Sequence, residues 1–347
     1  MAARKGWALT AVLLMTVAVC VVTLPRLLPA GGGGSYQTSA DVLDVSWSIA
    51  RIEAPVAWEK TEGSRRVIVA VIDSGIDVGA PLLAGALWTN PGEIAGNGID
   101  DDGNGYVDDI HGWDFRDNDS SSAVGSALHW HGTFVAGIIA AQRGAERIAG
   151  VAPGVRLMDL RFLDSRNLFY GRDWDRFAEA IDYAVDNGAQ IINLSVYANG
   201  RPPEVLERAL ERAAERGVLV VGIAGNGGSA ELCFPGCYDS VLAISATDQD
   251  DELASFSNYG CGIDAAAPGD EIVSIDIKGG ARQASGTSFA APHVSGTLAL
   301  ILSARPELDR QEAIAILRGS CQDLGNAGPD SRFGAGLIQA DDAVGDL

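Results

Sequence analysis

Three residues in this chain, Asp73, His131 and Ser288, are of the types that together make a hydroxyl nucleophilic. A serine hydroxyl is a poor nucleophile until a neutral imidazole removes its proton, and a carboxylate fixes the imidazole tautomer able to do so. Asp73 closes a strongly apolar, strand-like run in Val71-Ile-Asp-Ser-Gly-Ile-Asp77. His131 opens His-Gly-Thr-Phe-Val-Ala-Gly-Ile-Ile-Ala-Ala, which continues as an apolar helix whose glycines permit close packing on a sheet. Ser288, in Gly286-Thr-Ser-Phe-Ala-Ala-Pro-His293, starts another apolar helix, where unpaired backbone N–H groups can help to hold a developing oxyanion. Taken singly, Asp73 also reads as a cap or turn residue and Ser288 as a helix N-cap. Their joint occurrence points to acyl transfer. Of the other histidines, His129 lacks the following Gly-Thr and reads as a loop residue, His293 reads as packing within its helix, and His111 as a loop residue.

A second constellation is acidic. Asp100-Asp-Asp-Gly-Asn-Gly-Tyr-Val-Asp-Asp109 matches the first nine positions of an EF-hand-type calcium loop, with oxygen ligands at Asp100, Asp102 and Asn104, then the Tyr106 carbonyl and Asp108. His111 stands where the loop's bidentate acid belongs, so Asp109 or an acid from elsewhere must complete the shell. The alternative is a solvated Asp/Gly turn. No organic cofactor is expected, and without a Cys-x-x-Cys pair a zinc site has no support.

The elements that must position these residues alternate in type. Val67 to Ile72, Arg156 to Phe162, Ile191 to Leu194, Val218 to Ile223 and Val241 to Ser245 are short, apolar and rich in β-branched residues, and read as buried parallel strands. Between them, Asp175 to Val185 and Glu204 to Arg216 carry apolar residues at helical spacing and end near Gly188 and Gly217, which suit C-terminal caps. The alternation predicts an α/β fold: a doubly wound, mostly parallel sheet with helices on both faces and reactive groups beyond the strands' carboxyl ends.

At 347 residues and 47% apolar content, the chain can bury one large core. A formal charge of −21 argues against nucleic acid as a partner, because phosphate binding rests on Lys and Arg. Arg4 and Lys5 precede an uncharged run from Trp7 to Leu24, followed by Pro25, Arg26 and the tract Gly31 to Gly34. This reads as an export signal or as a membrane anchor that keeps Arg4 and Lys5 inside and sends the remainder across. The domain reading is 1–30 as signal peptide or anchor, 31–45 as a glycine-rich linker and 46–347 as the catalytic domain. Cys20 lacks the small preceding residue of a lipoprotein signal. Cys233, Cys237, Cys261 and Cys321 are even in number, which allows two disulfides in an exported protein, Cys233 with Cys237 closing a short loop.

Three blocks in the order Asp, His, Ser, joined by such elements, make the chain resemble the subtilases from about Ser46 to Val344. The resemblance implies a subtilisin-like fold and an extracytoplasmic serine endopeptidase acting on polypeptides. It also implies an oxyanion-binding amide at Asn226, in Ile223-Ala-Gly-Asn-Gly-Gly228. Substrate contacts follow at Gly225 and at Ser195, Val196 and Tyr197, where relatives carry Ser-Leu-Gly-Gly; Tyr197 then narrows the primary pocket. A second substrate-facing stretch is Asn167-Leu-Phe-Tyr170, which either builds apolar subsites or covers the core. The family's calcium-binding loop after the His131 helix is replaced by Gln142 to Arg147, whose two arginines disfavour a cation, and there is no room for the usual inhibitory folding segment. The competing functions are a catalytically silent binding module of this fold and a calcium-dependent structural domain.

Overall fold

The computed structural model describes residues 45–120, 128–143, 147–277 and 279–345, together with the backbone of Thr16–Ala18. Apart from that backbone, the run from Trp7 to Leu24 and the glycine tract lie outside the described residues. Among the described residues no helix is long and apolar enough to cross a membrane.

In chain order the first elements are β1 (Thr16–Ala18), α1 (Trp47–Arg51), α2 (Ala54–Ala57), β2 (Ile68–Asp73), β3 (Gly112–Asp114), α3 (Trp130–Ala140) and β4 (Arg156–Arg161). There follow β5 (Leu168–Tyr170), α4 (Trp174–Asp186), β6 (Ile191–Leu194), α5 (Glu204–Glu215), β7 (Leu219–Ile223), β8 (Val241–Thr247) and β9 (Ile263–Pro268). The last are β10 (Ile272–Ile275), β11 (Ala281–Ala284), α6 (Thr287–Ala304), α7 (Arg310–Gly319) and α8 (Ala340–Val344).

Seven strands form one sheet in the order β3-β4-β2-β6-β7-β8-β9, with every pairing parallel. Parallel strands covered on both faces read as continuous apolar runs, which is why these segments were legible. Successive side chains divide between the faces: Val69 and Val71 of β2 join the cluster under α3 and α6, while Ala70 and Ile72 join the one under α4 and α5. Gly188 and Gly217 follow α4 and α5 with φ of 77° and 82°, the left-handed geometry of a helix stop.

The chain leaves β2 toward β4 on one side and later returns to place β6 on the other. β2 therefore marks a reversal of strand order, where the loops above the carboxyl ends diverge and leave a crevice. Asp73 is the last residue of that strand. The strands β3 and β9 extend the sheet edges beyond the five strands expected from sequence, and β10 and β11 form an antiparallel hairpin.

Candidate active site

The three blocks meet above β2, and glycine contacts account for how closely. A Cβ on Gly132 would lie 2.5 Å from the Gly75 carbonyl, so the residue after His131 must be glycine for α3 to start against the turn after Asp73. Side-chain bonds lock the same junction: Ser74 Oγ accepts from Gly132 N at 3.0 Å, and Thr133 Oγ1 accepts from Asp77 N at 2.8 Å. Asp-Ser-Gly and His-Gly-Thr thus interlock as backbone and side-chain complements. His129 caps α3, its Nδ1 accepting from His131 N at 3.3 Å, which gives it a more definite role than the loop residue read from sequence. Burial pushes His129 down to about 4, so it stays neutral and keeps accepting that bond.

Asp73 and His131 are fully buried. The Nδ1–H of His131 donates to Asp73 at 2.8 Å to Oδ1 and 3.0 Å to Oδ2, while Ser74 N donates to Oδ1 at 2.6 Å. With the proton on Nδ1, Nε2 is an acceptor; it is buried and has no partner among the described residues. The His131 ring lies 5.4 Å from that of Phe289, the residue after Ser288.

Ser288 sits in the first turn of α6, 1% exposed, its Oγ donating to the Ser195 carbonyl at 3.3 Å. A buried chain of bonds fixes this junction: Ser295 Oγ to Asn193 Oδ1 at 2.9 Å, Asn193 Nδ2 to Ser195 Oγ at 2.9 Å, and Ser195 Oγ to the Ser288 carbonyl at 2.7 Å. Asn193 and Ser295 were not singled out in the sequence, because each looks like an isolated polar residue in an apolar run. Asn226 Oδ1 accepts from Thr287 N at 2.9 Å and Thr287 Oγ1 at 2.8 Å. With its oxygen so held, the amide presents its N–H group beside the start of α6. Gly225 has φ of 108°, and a Cβ there would lie 2.5 Å from Cys233 Sγ.

Tyr197 is 7% exposed and belongs to the apolar cluster that holds Val221 and Cys233. Val196 is buried in the opposite cluster. In the stretch from Asn167 to Tyr170, Phe169 packs on Phe162 and Trp174 at 5.1 and 5.0 Å and covers the core, whereas Leu168 and Tyr170 are only partly buried. His293 is buried as packing, bonded through Nδ1 to the Phe289 carbonyl at 2.7 Å, and burial pushes it down to about 4.

The acidic loop assembles differently from the expected shell. Glu93, Asp100 and Asp102 each bring a carboxylate oxygen within 4.8 Å of the others. Glu93 lies seven residues before the loop, where a local motif cannot find it. Asn104 turns its amide to Asp102 and Asp109, at 3.2 and 3.0 Å, and the Asp108 carboxylate accepts from Asn97 N and Gly98 N, at 3.1 and 2.8 Å. The Asp108 carboxylate is not among the clustered groups. The Tyr106 ring packs against Trp113 and Tyr183, both at 5.0 Å, anchoring the loop. Asp109, the expected completing acid, points into the core and accepts from Tyr183, Asn104 and Asn90; burial pushes its carboxyl up. His111 bonds the Trp88 carbonyl through Nδ1 at 2.7 Å.

The four cysteines from Cys233 onward stand as free thiols in this structure. Cys233 Sγ is engaged with Asn199 and Asn258, each at 3.4 Å, and burial pushes it up to about 11. In the loop after α3, Arg143 lies over the Trp58 ring at 4.7 Å and pairs with Glu62. A buried Arg161, 1% exposed, bonds Asp114 and Asp117.

A parallel α/β sheet carrying these three blocks at its order reversal defines a class of serine hydrolase. The chain belongs to the subtilase family, whose model matches residues 64–336, and is a serine-type endopeptidase. It is 40% identical over 260 residues to the thermophilic serine proteinase of Bacillus sp. (strain AK1), an alignment covering 74% of this chain and 58% of that protein. It is 36% identical over 254 residues to thermitase of Thermoactinomyces vulgaris, covering 73% of this chain and 80% of that protein. It is 33% identical over 303 residues to subtilisin BL of Lederbergia lenta, covering 86% and 98%.

Proposed function

We propose that this chain cleaves peptide bonds of extracytoplasmic polypeptides through an acyl-enzyme, with Ser288 as nucleophile, His131 as base and then acid, and Asp73 as orienting carboxylate. The supporting observation is the 2.8 Å bond from His131 Nδ1 to Asp73, which leaves Nε2 as the acceptor. Ser288 Oγ turns from the Ser195 carbonyl to Nε2, loses its proton and attacks the substrate carbonyl. The tetrahedral oxygen is held by Asn226 Nδ2 and by the backbone N–H at the start of α6. His131 then protonates the departing amine, and a water repeats the sequence to release the acid. Ser195, Tyr197 and Gly225, with the backbone of Val196, form the walls against which the acyl-side residue lies. A serine-directed phosphonate should label one serine per chain and abolish peptide hydrolysis, with no labelling of Ser288→Ala. Labelling that persists in Ser288→Ala would refute the assignment.

Calcium is proposed as a structural ion held by Glu93, Asp100 and Asp102. Three hard carboxylate donors within 4.8 Å of one another suit it, and the surrounding loop is pinned by Asn90 and Asn104. The ion would neutralise the cluster and brace the loop. No step of hydrolysis runs through it.

We further propose that residues 1–30 export or anchor the chain, 31–45 link and 46–347 catalyse, on the strength of Arg4 and Lys5 before the apolar run. N-terminal sequencing of the protein from membrane and medium fractions tests this.

A further inference from the structure

The surface beside β5 is basic in a chain of formal charge −21. Guanidinium carbons of Arg116 and Arg172 lie 5.5 and 5.4 Å from the centre of the Tyr170 ring, and Arg166 donates to the Tyr170 hydroxyl. Among the described residues two carboxylates answer these three cations, Asp164, at 3.3 Å from Arg166, and Asp173, and both have other partners. Asp164 accepts from the backbone of Arg166 and Leu168 and from the Tyr170 hydroxyl, at 2.9, 3.0 and 3.1 Å. Asp173, its side chain 2% exposed, accepts from Arg116 and from Tyr170 N, both at 2.8 Å. Arg166 and Arg172 keep 70% and 78% of their side-chain surface in solvent, and Arg172 is 3.9 Å from Asp173. One positive charge is left over, carried on guanidinium groups already held against an aromatic ring.

This patch follows directly on the segment that meets Asp73. The residues that lead into it, Phe162 and Leu163, donate their backbone N–H groups to the Asp73 carbonyl at 2.7 and 3.0 Å. The edge of β5 accepts an extended chain, since Thr16–Ala18 pairs antiparallel with Leu168–Tyr170. A peptide paired in that register would have a residue opposite Tyr170, as Thr16 is here.

We propose that Arg166 and Arg172, braced by Tyr170, form a subsite for a carboxylate side chain on the acyl side of the cleaved bond, so that the enzyme favours acidic segments. The inference rests on the protease reading above. Exposed charge pairs have modest effects, so replacing Gln by Glu at the matching upstream position should raise kcat/KM about fivefold at low salt. Lys at that position should lower it, and 1 M salt should erase the difference.

The test uses peptides that share one cleaved bond and carry Glu, Gln or Lys at each upstream position in turn. The Glu-to-Gln ratio is read in the wild type, in Arg166→Gln/Arg172→Gln and in Arg166→Lys/Arg172→Lys, each normalised by phosphonate titration. A ratio that collapses to one in the Gln pair and survives in the Lys pair supports the subsite. A ratio of one in the wild type, or one that persists in the Gln pair, overturns it. Binding of the same peptides to Ser288→Ala, followed by fluorescence anisotropy, separates this idea from the protease reading. Tighter binding of the Glu peptide supports the subsite even if no peptide is cleaved, and equal binding of Glu and Gln peptides refutes it.

Discussion

Asn226→Asp is a sharp test of the oxyanion assignment, because it changes the donor and keeps the scaffold. In the structure Asn226 Oδ1 accepts from Thr287 N at 2.9 Å and from Thr287 Oγ1 at 2.8 Å, and Thr287 is fully buried. A carboxylate can accept both bonds, so Asp at this position leaves them in place. Alanine cannot, and stranding the two buried donors should cost about 1–3 kcal/mol for each group left unpaired. The Asn226→Ala protein should therefore melt several degrees lower, at roughly 2–4 °C per kcal/mol, while Asn226→Asp should melt close to the wild type. Catalysis should behave in the opposite way. Alanine removes one donor, which lowers kcat by about 10²–10³, the magnitude known for the corresponding donor of subtilisin. Aspartate also sets a negative charge about 3 Å from the oxygen that must become negative, a repulsion of order 5 kcal/mol at an effective dielectric constant of about 20. Its kcat should fall well below that of the alanine variant, with KM little changed, because the oxyanion exists only in the transition state. The assay is steady-state hydrolysis of a peptide anilide at neutral pH, normalised by phosphonate titration, beside a thermal melt. An Asn226→Asp enzyme that folds like the wild type and keeps kcat within about threefold would refute the reasoning.

The remaining expectations concern the other parts of the site and its supports. His131→Ala and Ser288→Ala should each lower kcat about a millionfold, the loss known for subtilisin, and the double variant should be no worse, because the two groups act as a unit; turnover by each single variant and the double checks this. Chelator should lower the melting temperature by about 5–10 °C when calcium had been present at roughly a hundredfold its dissociation constant, and Glu93→Gln should shrink that response; an identical melt with and without chelator removes the calcium proposal. His293 and His129 are both held neutral by burial, with values pushed from 6.5 to about 4. Their unfolded forms take up protons first as the pH drops, so stability is complete above pH 6.5 and declines through about pH 4, and His293→Asn should flatten the decline measured by denaturant titration. Arg161→Met should cost about 3–5 kcal/mol by leaving Asp114 charged and buried, a loss that the added substitution Asp114→Asn should partly reverse in the same titration.

How much of this could be read in the chain depended on the range of each interaction. The strands β2, β4, β6, β7 and β8 were legible because burial on both faces demands unbroken apolar runs, and the boundaries shift only where one end emerges from the sheet. β3, with Gly112, Trp113 and Asp114, carries no such run, and β9 is Ala-rich and ends in Pro268, so neither announces itself. The three chemical blocks were legible for a related reason: each includes the small residues its own backbone contacts require. Gly132 against Gly75 is the plainest case. Long-range pairings were not legible. Arg161 reaches Asp114 and Asp117 across more than forty residues, and nothing near any of the three marks the match. Glu93 enters the acidic cluster from outside the motif, while Asn104 and Asp108, which satisfy the motif, spend their side chains on the loop's own hydrogen bonds.

The order reversal at β2 explains why so few residues suffice to build the site. Asp73 is fixed as the end of a strand paired on both sides, with β4 in register from Ile68 to Asp73 and β6 from Val69 to Val71. The α3 start is fixed to the turn after it by Gly132, Ser74 and Thr133, so the His131 ring reaches the carboxylate without a flexible intermediary. The α6 start is fixed separately, to β6 through Ser195 and to the loop after β7 through Asn226. His131 and Ser288 are therefore fixed from different loops on the same face of the sheet, where Phe134 and Phe289 pack at 4.6 Å, and no direct bond between them is required to hold them. That leaves His131 Nε2 without a partner and Ser288 Oγ resting on a carbonyl at 3.3 Å. In the proposed mechanism a side-chain rotation of the serine completes the contact when a substrate carbonyl is present to receive the attack.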